Sequence, residues 1–252
     1  MPVSEYSIAD FLKEVKNYSP EELLLWSLRT FEVPNVVFAS SLGAEDQVIT
    51  DMLMNINPHP VICTLDTGRL PEQTYRLMDT TREKYGFRYR VLFPDYRDVE
   101  TMVSNSGQNL FYESVEKRKQ CCAVRKVYPL RRAFKGLSAW ICGLRKEQSE
   151  SRASVGKVEW DDNFGLYKIN PLCDWTNEQV WEYLRKHQVP YNTLHDHGYP
   201  TIGCDPCTRA IRSGDQSRAG RWWWESAEHK ECGLHSSEHA KVREPNGIFK
   251  RA

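Results

Sequence analysis

Four short apolar runs rich in β-branched residues set the strongest constraint on this chain: Val36-Val37-Phe38-Ala39, Val61-Ile62-Cys63-Thr64-Leu65, Tyr89-Arg90-Val91-Leu92-Phe93 and Ala139-Trp140-Ile141-Cys142. Each is separated from the next by enough residues for a helix and its loops. Runs with little polar alternation are buried on both faces, so the pattern predicts an α/β fold with a parallel sheet covered by helices. Two amphipathic stretches precede it, over residues 8–15 and, after Pro20, 21–29, with apolar residues at helical spacing. From about Gly198 the texture shifts to Gly, Cys, Arg and Trp with scattered charge, a C-terminal segment expected to be partly mobile.

With 252 residues, 40% of them hydrophobic, the chain can bury a full-sized core. Lys and Arg number 34 against 34 Asp and Glu, so nothing suggests nucleic-acid or general polyanion binding, and an anionic ligand needs a local basic cluster. No apolar run approaches the roughly 20 residues that span a bilayer, and the early residues are acidic rather than signal-like. A cytoplasmic protein without a membrane partner is expected. In a reducing compartment its eight cysteines suit metal binding or catalysis better than structural disulfides.

In open parallel sheets ligands sit beyond the carboxyl ends of the strands. Three strand ends there carry polar or glycine-bearing turns: Ser40-Ser41-Leu42-Gly43-Ala44-Glu45-Asp46, Asp66-Thr67-Gly68-Arg69, and the stretch from Gly143 to Arg152. The first opens a helix expected over 47–55, and resembles a phosphate loop without its lysine. A plain serine N-cap with acidic first-turn residues reads equally well. Arg145, Lys146 and Arg152 in the third turn tip the balance toward anion binding, joined by Arg209, Arg212, Arg218 and Arg221 after Cys207.

Cys204-Asp205-Pro206-Cys207 is a C-x-x-C, and the adjacent Cys121 and Cys122 lie in a basic helical stretch over 114–134. Four thiolates suit a Cys₄ zinc site or a [4Fe-4S] cluster. Neighbouring side chains on a helix point about 100° apart, awkward for one small ion and workable for two irons, which favours the cluster. Arg125 and Lys126 follow Cys121 and Cys122 by four residues, placed to offset thiolate charge or to face an anionic substrate. Cys63, Cys142 and Cys173 read as small buried hydrophobes. Cys232, in the polar run Glu231-Cys232-Gly233-Leu234-His235, is a candidate nucleophile, with His235 on the same face if the segment is helical.

In order along the chain, Ser40-Ser41-Leu42-Gly43-Ala44-Glu45-Asp46, Leu65-Asp66-Thr67-Gly68, Cys121-Cys122, Gly143-Leu144-Arg145, Cys204-x-x-Cys207, Arg218-Ala219-Gly220-Arg221-Trp222 and Glu231-Cys232-Gly233-Leu234-His235 resemble the assimilatory adenylylsulfate reductases. The resemblance implies an adenine-nucleotide α-hydrolase-like fold with a nucleotide-binding domain over 35–197. A helical segment over 1–34 would precede it, and a C-terminal segment over 198–252 would carry the C-x-x-C and the catalytic cysteine. It also implies one [4Fe-4S] cluster per subunit on Cys121, Cys122, Cys204 and Cys207, and reduction of adenosine 5′-phosphosulfate to sulfite and AMP with thioredoxin or glutaredoxin. A homo-oligomer is compatible with it.

The resemblance assigns substrate contacts to Ser40, Ser41, Gly43, Glu45 and Asp46, to Leu65, Asp66, Thr67 and Gly68 for the adenosine part, and to Arg145, Arg152, Arg218 and Arg221. Catalysis falls to Cys232, Lys126 and His235. Three rivals stand beside it: a reductase of 3′-phosphoadenosine 5′-phosphosulfate or of both nucleotides, an ATP-dependent adenylyl-transferring enzyme, and a non-catalytic iron–sulfur sensor. The missing S-G-G-x-D-S pattern disfavours the second, and the lack of a nucleic-acid-binding element disfavours the third.

Overall fold

In the computed structural model, which describes residues 7–226, six strands form one sheet in the order β3-β2-β1-β4-β6-β5. Strands β1 (Val36–Ser40), β2 (Ile62–Leu65), β3 (Arg90–Leu92), β4 (Ala139–Ile141) and β6 (Leu166–Ile169) run parallel, and β5 (Val158–Asp161) pairs antiparallel with β6. The four strands read from the sequence are all present. The β5–β6 pair is an addition: its polar and charged alternation, Val-Glu-Trp-Asp and Leu-Tyr-Lys-Ile, lacks the unbroken apolar run of a central strand.

Period-two alternation distributes the strands between two cores. Val36, Phe38, Ile62, Ala139 and Ile141 face one side, while Val37, Cys63, Trp140 and Cys142 face the other. Helices α1 (Ile8–Glu14) and α2 (Pro20–Thr30) start at serine capping boxes and bury Phe11, Leu23, Leu24 and Trp26 in the first of these cores. Helix α3 (Ala44–Ile56) begins three residues before the expected start because Gly43 takes the cap position and places Glu45 and Asp46 in the first turn. Helices α4 (Glu72–Tyr85), α5 (Tyr96–Ser106) and, toward the end, α8 (Asn177–Lys186) complete the cover around the sheet.

The stretch expected as one helix over 114–134 is three pieces: α6 (Val115–Cys122), a π-helical turn over Ala123–Val127, and α7 (Tyr128–Phe134). Pro129 cannot donate to a carbonyl one turn back, and the widened turn just before it absorbs that loss. The i,i+4 relation expected between the cysteines and Arg125 and Lys126 is therefore not that of a regular α-helix. A third apolar cluster, with Met102, Leu110, Phe111, Cys122, Cys204, Cys207 and Trp222, packs here. Residues 198–226 hold one 3₁₀ turn, Asp205–Cys207, and an isolated bridge between Thr208 and Arg221. Of the segment from Gly198 expected to be partly mobile, residues 227–252 lie outside the described ones.

Candidate active site

Strands β2 and β3 lie to one side of β1 and β4 to the other, so the carboxyl ends of β1 and β4 flank the point where the winding reverses. A crevice of about 320 Å³ opens there. Ala39, Cys63, Leu65, Leu130, Trp140 and Cys142 give it an apolar wall, and Lys126, Arg145, Arg152, Arg218 and Arg221 bring cations to it. An apolar slot beside converging cations fits a flat base joined to an anionic group.

Around the serine turn, Ser40, Ser41, Gly43, Glu45 and Asp46 all line the crevice, with Ser41 bonded to Asp46 and Glu45 to Arg145 and Gln148. Asp46 Oδ2 accepts from the Ser41 amide at 2.5 Å and its hydroxyl at 2.7 Å, and Ser40 Oγ accepts from the Leu42 amide at 3.2 Å. Burial pushes the Asp46 carboxyl up to about 6, against the opposing pull of the Ser41 bonds. Leu42 takes a positive φ of 63°, the bend that brings the turn back on itself. Gly143 closes the other side: a Cβ there would sit 2.3 Å from Asp46 Oδ1.

Of the turn after β2, Leu65 and Thr67 line the crevice, whereas Asp66 accepts from the Gly68 amide at 2.8 Å and the Tyr75 hydroxyl at 2.9 Å. Gly68 has φ 71°, which suits the turn. Among the cations, Arg145 is buried and shared: Nε donates to Glu45 Oε1 at 2.9 Å, and Nη1 reaches Glu147 and the Trp175 carbonyl. Arg152 Nη1 donates to Gln148 Oε1 at 2.5 Å. Lys146 turns away, exposed, to Asp174 at 2.5 Å, so the expected convergence of that turn holds for Arg145 and Arg152 and not for Lys146. Arg209 and Arg212 are exposed, which separates them from Arg218 and Arg221 on the crevice wall.

Cys121, Cys122, Cys204 and Cys207 meet around a second, small cavity together with Arg125, Lys126, Arg221 and Trp222. Burial pushes the Cys207 thiol up to about 12, Cys204 raises it further, and Lys126 and Arg221 pull it down. Cys121 is likewise raised by burial, with Arg125 as the largest opposing influence. Among the described residues no three His, Cys, Asp or Glu side chains close around a single-ion point. The thiols instead ring a volume. Thr67 Oγ1 lies 3.3 Å from Cys204 Sγ, and Arg125 Nη1 donates to the Thr67 carbonyl at 2.6 Å, tying the turn after β2 to the thiol cavity.

Several participants went unread in the sequence. Gln148 joins the arginine turn to the serine turn, donating to Glu45 Oε1 at 3.0 Å and to the Gly143 carbonyl at 3.2 Å; a neutral side chain gives no signal in a search for charge. His195 and Trp181 line the crevice edge to face, and burial holds the imidazole below the ordinary histidine range. Gly203 faces Arg221 so closely that a Cβ would lie 2.3 Å from Nη2. Cys232 and His235 lie outside the described residues.

Comparison with known proteins agrees with this geometry. The phosphoadenosine phosphosulfate reductase domain family matches residues 35–210. The chain is 51% identical over 215 residues to an adenosine 5′-phosphosulfate reductase of Allochromatium vinosum, covering 85% of this chain and 84% of that protein. It is 47% identical over 199 residues to one of Neisseria meningitidis serogroup B, covering 79% and 81%. Among solved structures it resembles a phosphoadenylyl-sulfate reductase from Candida auris (TM-score 0.70, 30% identity, 82% of this chain and 98% of that one). The Candida glabrata FMN adenylyltransferase (TM-score 0.54, 15% identity, 96% and 82%) shares the fold alone. The architecture is thus the adenine-nucleotide α-hydrolase-like one.

Proposed function

The chain belongs to the phosphoadenosine phosphosulfate reductase domain family, and from that premise we propose that it reduces adenosine 5′-phosphosulfate to sulfite and AMP, with Cys232 as nucleophile and thioredoxin or glutaredoxin as reductant. One observation carries the reading: Lys126, Cys204, Arg221 and Trp222 line both the crevice and the thiol cavity, so a cysteine-rich centre and an anion site share a wall.

The four thiols fit a [4Fe-4S] cluster. They line one small cavity and do not close on a point, burial holds the protons of Cys121 and Cys207 tightly, and Arg125, Lys126 and Arg221 offset the charge the thiols would carry when deprotonated. When bound, the cluster would cross-link α6 to the C-x-x-C loop and contribute an electrostatic field, without exchanging electrons.

The chain's own residues perform the transfer in this reading. The base occupies the apolar wall beside Leu65 and the Thr67 turn. Lys126, Arg152, Arg218 and Arg221 hold the phosphosulfate and stabilise charge gathering on the departing phosphate oxygen. Arg145, tied to Glu45, fixes the wall that positions them. The Cys232 thiolate attacks the sulfate sulfur, the sulfur–oxygen bond to phosphate breaks, and its electron pair leaves on AMP. A protein S-sulfocysteine remains. A thiolate of the reductant then attacks Cys232 Sγ and expels sulfite, and the reductant's second thiol resolves the mixed disulfide. His235, from its place in the E-C-G-L-H motif, would steady the sulfonate or the thiolate.

Sulfite release tests the reading. Anaerobically purified protein with thioredoxin should form sulfite from adenosine 5′-phosphosulfate at a higher kcat/KM than from its 3′-phosphorylated relative. The 30% identical Candida auris structure favours the 3′-phosphorylated nucleotide as the second reading. Preference for that nucleotide would replace the first reading, and no sulfite from either would reject both.

A further inference from the structure

The serine turn occupies the position where a strand feeding a helix normally receives an anion. Three of its donors are already taken. The Ser41 amide and hydroxyl both donate to Asp46 Oδ2, and the Leu42 amide donates to Ser40 Oγ. Asp46 Oδ1 faces Gly143 at a distance that leaves no room for a side chain there. The cation nearest the turn is taken as well, since Arg145 bonds Glu45 Oε1 through Nε and Nη2, both at 2.9 Å, with Gln148 on the same oxygen. Two consecutive carboxylates thus hold the amide, the hydroxyl and the guanidinium that a pair of linked phosphates would need.

We infer that Asp46, seconded by Glu45, is a built-in anion that closes this turn to pyrophosphate and to the terminal phosphates of a nucleoside triphosphate. The crevice is thereby confined to a nucleoside monophosphate ester and its transferable group. The inference rests on the reductase reading for the ester itself and adds to it the residues that keep ATP out. Repulsion works alongside occupancy: a pyrophosphate would have to displace a carboxylate from its donors and lie against a second one.

The test uses the anaerobically prepared full-length protein, saturated with AMP and titrated with inorganic pyrophosphate in a calorimeter. Wild type should show no uptake at millimolar pyrophosphate. Asp46→Asn and Asp46→Ser, which remove the charge, should bind it about tenfold or more tightly than wild type, and Glu45→Gln, which releases Arg145, should gain less. One equivalent of pyrophosphate bound to AMP-loaded wild type would overturn the proposal, as would a variant that still takes AMP and gains nothing. If the Asp46 variants do not fold, wild type and Glu45→Gln decide between the same outcomes. Wild type that binds no AMP would count against the reductase reading instead, and the pyrophosphate titration is then read on nucleotide-free protein.

Discussion

Arg118 closes a two-pronged ion pair on Glu225, Nε to Oε1 at 3.0 Å and Nη2 to Oε2 at 2.8 Å, with side chains only 1% and 3% exposed. Its guanidinium also lies 4.6 Å from the Trp222 ring centroid. Arg118 stands on α6 just ahead of the cysteine pair, and Glu225 stands in the stretch of chain that leads to Cys232. The pair pins that stretch against the helix bearing Cys121 and Cys122.

Removing one partner strands the other charge in the interior. Arg118→Met should lower unfolding free energy by about 3–5 kcal/mol, measured by denaturant titration of the anaerobic protein. The double variant Arg118→Met with Glu225→Leu should recover most of the loss. A single variant as stable as wild type would show the pair to be incidental.

Lys126 lines both cavities, so its charge acts on the nucleotide as well as on the thiols. Lys126→Ala should cut kcat/KM about a hundredfold while the thermal midpoint and iron content stay near wild type. Unchanged kinetics would remove its electrostatic role.

The sign of the pH effect at Asp46 follows from its raised value. Its carboxyl titrates near 6 in the folded chain against an ordinary 3.8, so between those limits the folded state binds more protons. Stability contributed by this group falls as pH rises from about 4 to about 6. Asp46→Asn should flatten the slope of unfolding free energy across that window, and an unaltered slope would assign the titration elsewhere.

Metal content separates the two chemistries that four thiolates allow. Anaerobic protein should carry about four irons and four sulfides per chain, and Cys121→Ser, Cys122→Ser, Cys204→Ser or Cys207→Ser should each lower both. One equivalent of zinc in their place would contradict the cluster.

The sheet was legible because Val36–Ser40 and its parallel partners carry unbroken apolar runs, and the site was legible because its turns follow those strands. What stayed hidden has physical causes. Val158–Asp161 at the sheet edge and Leu166–Ile169 next to it read as polar. The π-turn at Ala123–Val127 comes from a proline two residues beyond it, and periodicity alone does not register such a widening. Asp46 and Ser41 were both read as candidate site residues and both line the crevice, but their bond to each other depends on the positive φ of Leu42, which no pattern of residue types encodes. Lys146 and Arg145 are neighbours in sequence and look alike there; only the turn geometry sends one to Asp174 and the other to Glu45.

The most direct test concerns the sulfur of Cys232. Protein incubated with adenosine 5′-phosphosulfate and no reductant, then digested and analysed by mass spectrometry, should release one AMP per chain and carry a sulfonate-sized addition on the Cys232 peptide that thioredoxin removes as sulfite. AMP formed in that amount with the Cys232 peptide unmodified would contradict the account.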